Sequence, residues 1–211
     1  MNNYWNKLYK EKKHISVWPW SDIVSEINKI KVKKKIDILE IGCGAGANIP
    51  FFLDKRFKYQ GVDTSVHIIK ILKKKFPILN KKLIASNFKK IDYKKNSFDI
   101  IFDRAAVTHN KFDNIQQIIN DAYDLLNEEG HYVGVDWYST KCSDCKKQNK
   151  KQTNLLKSGV FKSVGPVFFF KKENIISIFK NFKIISLVEK TEFDHLTKKT
   201  FARWRFVAKQ R

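Results

Sequence analysis

Apolar residues recur along this chain at two different spacings. Tyr4, Trp5 and Leu8 fall at i, i+1 and i+4, which predicts a short amphipathic helix, followed by the aromatic linker Val17-Trp18-Pro19-Trp20. Ile23, Val24, Ile27 and Ile30 predict a second helix from Ser21 to Lys31, with Ser21 as N-cap and Asp22 favourable at the positive end. Ile36–Ile41, bounded by lysines and glycines, reads as a buried strand. A strand at Phe57–Asp63 follows, then a helical stripe of Val66, Ile69, Leu72 and Phe76 that stops before Pro77. Lys82–Ala85 is a weaker third strand and Phe98–Asp103 a stronger fourth. Ile115, Ile118, Ile119, Ala122, Leu125 and Leu126 line a long helix closed by Gly130, and His131–Trp137 is the fifth strand. Beyond an irregular stretch from Thr140 to Gly165, a helix turns Ile175, Ile176, Phe179 and Phe182 inward. Two half-buried strands end the chain, around Ile184–Val188 and Phe201–Ala208. In the last, Ala202, Trp204, Phe206 and Ala208 oppose Arg203 and Arg205.

Strands alternating with helices predict an α/β fold: an open, mostly parallel seven-stranded sheet with helices on both faces. Only the last two strands lack a helix between them, so they form a C-terminal hairpin that places one antiparallel strand in the sheet. The 211 residues read as one domain, 1–211, with a helical lid segment over 1–31 and a substrate-side insertion over 140–166.

Composition changes this picture little. With 43% apolar and 14% aromatic residues, the chain is neither disordered nor collagenous. A net charge of +21 suggests a nucleic acid or an anionic membrane. Only five of its 42 cations are arginine, however, and Lys, Ile, Asn and Phe are together what an A/T-rich coding sequence enriches. Codon bias is therefore the preferred source of the charge. The lysine runs at 33–35 and 73–75 read as solvated faces. Three cysteines are too few for a disulfide framework, and the N-terminus lacks a signal-peptide core, so a cytoplasmic location is expected. The apolar run Val167–Phe170 is far shorter than the ~20 residues of a membrane span.

The chemistry concentrates after the first strand, in Glu40-Ile41-Gly42-Cys43-Gly44-Ala45-Gly46-Ala47-Asn48. Glycines between a strand and a helix allow a tight turn and close approach of backbone N–H groups to a ligand. Open α/β sheets bind ligands beyond the carboxyl ends of their strands, so this loop, Asp63 and Asp103 are expected around one crevice. Asp63, 21 residues after Gly42, is placed to accept from both ribose hydroxyls of a nucleoside cofactor. The loop alone also satisfies the relaxed pattern of nicotinamide enzymes. Glu40 before the first glycine, Gly46 in third place, the helical segment ahead of the first strand and the terminal hairpin favour another family. Together they resemble the Rossmann-like class I methyltransferases that use S-adenosylmethionine, whose first motif reads E-x-G-x-G-x-G. The resemblance runs from Ile36 to the C-terminus.

That resemblance implies S-adenosylmethionine as cofactor, its methionine part wrapped by Gly42, Gly44 and Gly46, with Glu40 bracing the loop and Asp63 holding the ribose. Family members commonly carry an acid in a D-[AF]-x-x-L-P-F segment for the adenine amine. The matching stretch here is Asn87–Tyr93, with Asn87 in place of Asp and the Phe88 N–H available to a ring nitrogen. Ser97-Phe98-Asp99-Ile100-Ile101 matches the run that opens the fourth strand. Asp103–Asn110 and Asp136–Thr140 resemble a bacterial small-molecule subgroup and imply a pocket for a small-molecule acceptor, a sugar or other hydroxylated metabolite. Arg104, Trp18, Trp20 and Trp137 are expected to form its walls and lid, and Asp103 also to touch the cofactor.

For a hydroxyl acceptor a base is needed, and His109 is the candidate, with Asp103 or Asp136 orienting it. Plainer readings stand beside these: His109 bonded to a backbone carbonyl, Asp103 capping its own segment or paired with Arg104, the tryptophans packed in the core. Cys142-Ser143-Asp144-Cys145 has zinc-ligand spacing but no second pair unless His131 and His195 fold towards it, so no metal is expected. The rivals are an RNA or protein methyltransferase using the basic surface, with nucleic acid disfavoured as a partner, and a non-catalytic scaffold retaining the fold. Oligomeric state is not legible.

Overall fold

The computed structural model describes residues 3–31, 35–145, 153–155, 161 and 164–211. Lys33 and Lys34 of the first lysine run, and most of the 140–166 stretch, lie outside those residues. Five parallel strands form one side of a seven-stranded sheet: β1 (Asp37–Ile41), β2 (Lys58–Asp63), β3 (Leu83–Ala85), β4 (Phe98–Arg104) and β5 (Leu126–Tyr138). A two-residue pair, β6 (Asn154–Leu155) with β7 (Pro166–Val167), stands apart from the sheet. The hairpin β8 (Phe182–Asp194) and β9 (Lys199–Gln210) completes the order β3-β2-β1-β4-β5-β9-β8, with β9 antiparallel to both neighbours. This is the mostly parallel α/β sheet with a terminal hairpin that the alternation of elements predicts.

Alternate side chains of the central strands bury into two cores. Leu39 and Ile41 of β1, with Ile101 of β4, pack under α5 (Phe112–Leu125) and α6 (Lys172–Ile178). Ile38, Ile100 and Phe102 face the other way, onto α2 (Ser21–Lys29), α3 (Ile49–Asp54) and α4 (Val66–Lys75). A parallel strand buried on both faces needs such an almost continuous apolar run. The remaining helix, α1 (Asn3–Lys10), lies at the carboxyl ends of the strands, where Asn6 Oδ1 accepts from Ser65 Oγ at 2.9 Å and His67 N at 3.0 Å at the start of α4.

Several local expectations are corrected. The N-cap of α2 is Trp20, with no side-chain cap, and Ser21 is the first helical residue. Gly130 does not close α5, which ends at Leu125 with β5 starting at once; Gly130 lies inside that strand. Ile176 and Val66 are exposed, because α6 and α4 bury Ile175 with Ile178, and Ile68 with Ile69, instead. Helix α3 and the β6–β7 pair went unread: Pro50 sits in the first turn of α3, where its missing N–H costs nothing, so it starts this helix rather than breaking one.

Candidate functional site

A cleft of about 800 Å³ opens at the carboxyl ends of β1, β2, β4 and β5 and is covered from above by Trp5 and Tyr9 of α1 and by the segment through Lys12, His14 and Trp20. Its floor is the glycine loop. Gly42 has φ +73° and Gly44 φ +50°, left-handed conformations that side chains rarely adopt. A Cβ on Gly42 would stand 2.2 Å from Ala106 Cβ, and one on Gly44 would stand 2.9 Å from the Tyr9 hydroxyl. Gly46 faces the other way, against Leu72 and Ile49, so it seats α4 and α3 against the loop instead of lining the cleft.

Carboxylates hold this loop in place. Asp63 Oδ2 accepts from Gly44 N at 3.0 Å and Oδ1 from Ser65 N at 2.8 Å, tying the loop to the end of β2. Burial raises its pKa, and the backbone N–H groups oppose the rise. Each oxygen keeps a second lone pair for a ligand in the cleft. Glu40 lies deeper, taking Tyr59 Oη at 2.5 Å and Asn48 Nδ2 at 2.8 Å, and burial pushes its pKa up to about 8. Asn48 Oδ1 in turn accepts from Trp20 N at 3.1 Å, which links the floor to the cover. Asn87 lines the cleft with its Oδ1 on Lys89 N, and Phe88 is buried beside it.

The turn after β4 supplies the second half. Asp103 is fully buried and off the cleft surface. Its Oδ2 accepts from Ala106 N and Val107 N, both at 3.1 Å, and its Oδ1 from Tyr132 Oη and Trp137 Nε1, both at 2.8 Å. Four donors on one carboxylate hold Ala105 at φ +56° and press Ala106 onto Gly42. Burial still raises the Asp103 pKa to about 6. The expectation that Asp103 touches ligand or orients His109 gives way to a positioning role, because all its bonds go to backbone, Tyr132 and Trp137. Trp137 is likewise in the core, bonded to Asp103 and packed on Phe170 and Phe206, and forms no wall.

Asp136 is corrected too. It sits at the irregularity in β5–β9 pairing between Gly134 and Trp137, with φ +56°, which turns its carboxylate onto Arg104 Nη2 at 2.5 Å and Arg203 Nε at 2.9 Å. It therefore does not meet His109. Arg104 lines the cleft with its guanidinium 3.4 Å over the Trp20 ring. Trp18 is 79% exposed and not part of the lining.

His109 lines the cleft from the 3₁₀ turn Val107–His109. Its Nδ1 meets Pro166 O at 3.0 Å, so that nitrogen carries the proton and Nε2 is the basic one. Burial lowers its pKa to about 4, which keeps the ring neutral at pH 7. Trp5 stands edge-on at 5.0 Å and Tyr138 at 6.2 Å. Lining residues outside the segments that the sequence reading assigned to the crevice include Trp5, Tyr9, Lys12 and His14. The amphipathic stripe of the first helix signalled Trp5 alone among them. Cys142 is engaged with the Ala202 backbone, and among the described residues no group of three or more His, Cys, Asp or Glu is arranged for a metal. Among the same residues no helix is long and apolar enough to cross a membrane.

A methyltransferase-domain family matches residues 38–130. The chain is 22% identical over 117 residues to phosphoethanolamine N-methyltransferase of Plasmodium falciparum, 54% of this chain and 44% of that protein, so it spans less than half of that relative. Its fold is similar to an S-adenosylmethionine-dependent methyltransferase structure from Methanosarcina mazei, with TM-score 0.70, 15% identity and coverage of 91% of this chain and 98% of the other. It is also similar to Haemonchus contortus phosphoethanolamine N-methyltransferase 2, solved with phosphomonomethylethanolamine and S-adenosylhomocysteine. There the TM-score is 0.66 and identity 14%, covering 99% of this chain and 58% of that one.

Proposed function

We propose that this chain, which carries a methyltransferase-domain match over residues 38–130, is a class I S-adenosylmethionine-dependent enzyme that transfers a methyl group to a small-molecule acceptor bound in the covered cleft. The observation that carries this reading is the cradle itself: two left-handed glycines, walled by Ala106 and Tyr9, with the Asp63 carboxylate fixed on the Gly44 N–H. Such a cradle suits a ligand that meets backbone closely and presents vicinal hydroxyls to a carboxylate. Gly42, Gly44, Asp63, Asn87 and Phe88 would hold the cofactor, which when bound supplies an activated methyl on a sulfonium. Glu40 braces the loop through Asn48 and Tyr59 at the base of the cleft.

The residues of this chain then align and shield the acceptor. Trp5, Tyr9 and Trp20 cover it and exclude water, and alignment supplies most of the catalysis in such a transfer. Neutral His109, with Nδ1–H held on Pro166 O, offers Nε2 to the acceptor's proton. With a pKa near 4 it orients a hydroxyl or amine and takes the proton as the bond forms, rather than ionising the acceptor beforehand. The cleft volume lies within the ~300–1,000 Å³ of small-molecule sites, which favours a small acceptor over RNA or a protein chain.

Thermal shift tests the reading. S-adenosylmethionine and S-adenosylhomocysteine are expected to stabilise the fold by about 2.7 kcal/mol at a hundredfold excess over Kd, and NAD not at all. Asp63→Ala should remove most of the effect. Stabilisation by NAD alone would make this a dehydrogenase, and stabilisation by none a scaffold. RNA binding with a steep salt dependence would redirect the acceptor to nucleic acid.

A further inference from the structure

The charges that line the cleft are segregated. Asp63 and Asn87 stand at the ends of β2 and β3, on one side of β1, and Glu40 lies beneath the glycine loop, held by Tyr59 and Asn48. Across from them Arg104 stands at the end of β4 and the covering segment adds Lys12, while His14 and His109 also line the cleft with pKa values lowered by burial. The two carboxylates nearest in sequence, Asp103 and Asp136, are turned away, one into the core and one onto the backs of Arg104 and Arg203.

We infer that the acceptor carries an oxyanion group, a phosphate monoester or a carboxylate, received by Arg104. The inference rests on the methyltransferase reading for the word acceptor, but the anion site has its own geometry. Arg104 is immobilised on two sides, stacked 3.4 Å over Trp20 and anchored through Nη2 on Asp136. A guanidinium has five N–H donors, and a single anchoring nitrogen leaves a donating edge for the cleft that it lines. Asp136 is shared with Arg203, so it fixes the direction of Arg104 without saturating it. Lys12 and His14 are carried at φ +54° and +56°, two left-handed non-glycine positions within three residues. Strain of that kind collects at ligand clamps. Trp20 is held in turn by Asn48, so the anion seat and the cofactor loop share one support.

The test uses the full chain with inorganic phosphate as the probe, followed through the Trp20 indole N–H resonance at constant ionic strength, with and without S-adenosylhomocysteine. A saturable shift is expected. Arg104→Gln should weaken it at least about tenfold, Arg104→Lys less, and Lys73→Gln on the far surface of α4 not at all. No saturable shift, or one equal in wild type and Arg104→Gln, overturns the anion site. Methyl phosphate and acetate titrated in parallel distinguish the two oxyanions, the stronger binder naming the group. Calorimetry with S-adenosylhomocysteine decides the cofactor reading separately: no heat there sinks that reading, while the phosphate titration alone decides the anion site.

Discussion

Asp103 shows how far one side chain can be read in advance. An acid at the end of a central strand in a glycine-loop fold invites a catalytic role. What the sequence does not display is that Tyr132 and Trp137, five residues apart on the next strand, converge on the same oxygen while two N–H groups take the other. Asp103→Asn would set an amide NH₂ against those donors, leaving some of them unpaired in the core. About 2–4 kcal/mol of stability should be lost in denaturant unfolding, from one or two unsatisfied buried groups. A variant of native stability would remove the positioning role. The place of Asp63 at the cleft was legible for a different reason: its distance along the chain from Gly42 puts it at the end of the neighbouring strand, beside the loop. His109 was half legible, since the ring was found but not Pro166, which comes from a segment without regular periodicity.

At the scale of elements, strands and long helices followed from periodicity because burial on both faces of a parallel sheet leaves little freedom. Short pieces did not. Helix α3 has too few residues to show a period, and the α5–β5 junction has no turn signal because Leu126 leaves the helix and enters the sheet at once. The 1–31 segment was read as a lid, but the amide that helps to seat α1 was not legible. Asn6 Oδ1 accepts two bonds from the start of α4, and Asn6→Ala leaves Ser65 Oγ and His67 N seeking water. We expect faster hydrogen exchange across α1 and a severalfold weaker affinity for S-adenosylhomocysteine, with the melting of the sheet shifted by no more than ~1–2 kcal/mol. Unchanged exchange in α1 would show that Trp5 and Tyr9 hold it unaided.

For the molecule as a whole, buried ionisable groups shape the pH dependence of stability. The Glu40 pKa is raised from 4.5 to about 8, so the folded state holds a proton that the unfolded chain has released between those values. Stability contributed by that proton is complete below pH 4.5 and is lost as pH rises through 8, a decline of roughly 3–5 kcal/mol. Glu40→Gln should remove that decline, flattening the curve above pH 6.5, while keeping the bond to Asn48. His109 acts oppositely: its pKa falls from 6.5 to about 4, so stability drops as the medium is acidified through that range. Chemical unfolding of wild type and Glu40→Gln from about pH 4 to 9 checks both effects, and parallel curves would mean that Glu40 is ionised in the fold. The basic charge of the chain, by contrast, was legible from composition and reached the cleft in only a few residues.

The partners of Asn6 are Ser65 and His67, roughly sixty positions later, and Trp5 rests on His109, about a hundred positions after it. During synthesis the roof therefore leaves the ribosome long before anything exists for it to rest on. Those first residues must wait, unattached, until the strands beneath them have assembled, and they settle among the last parts of the chain to become ordered.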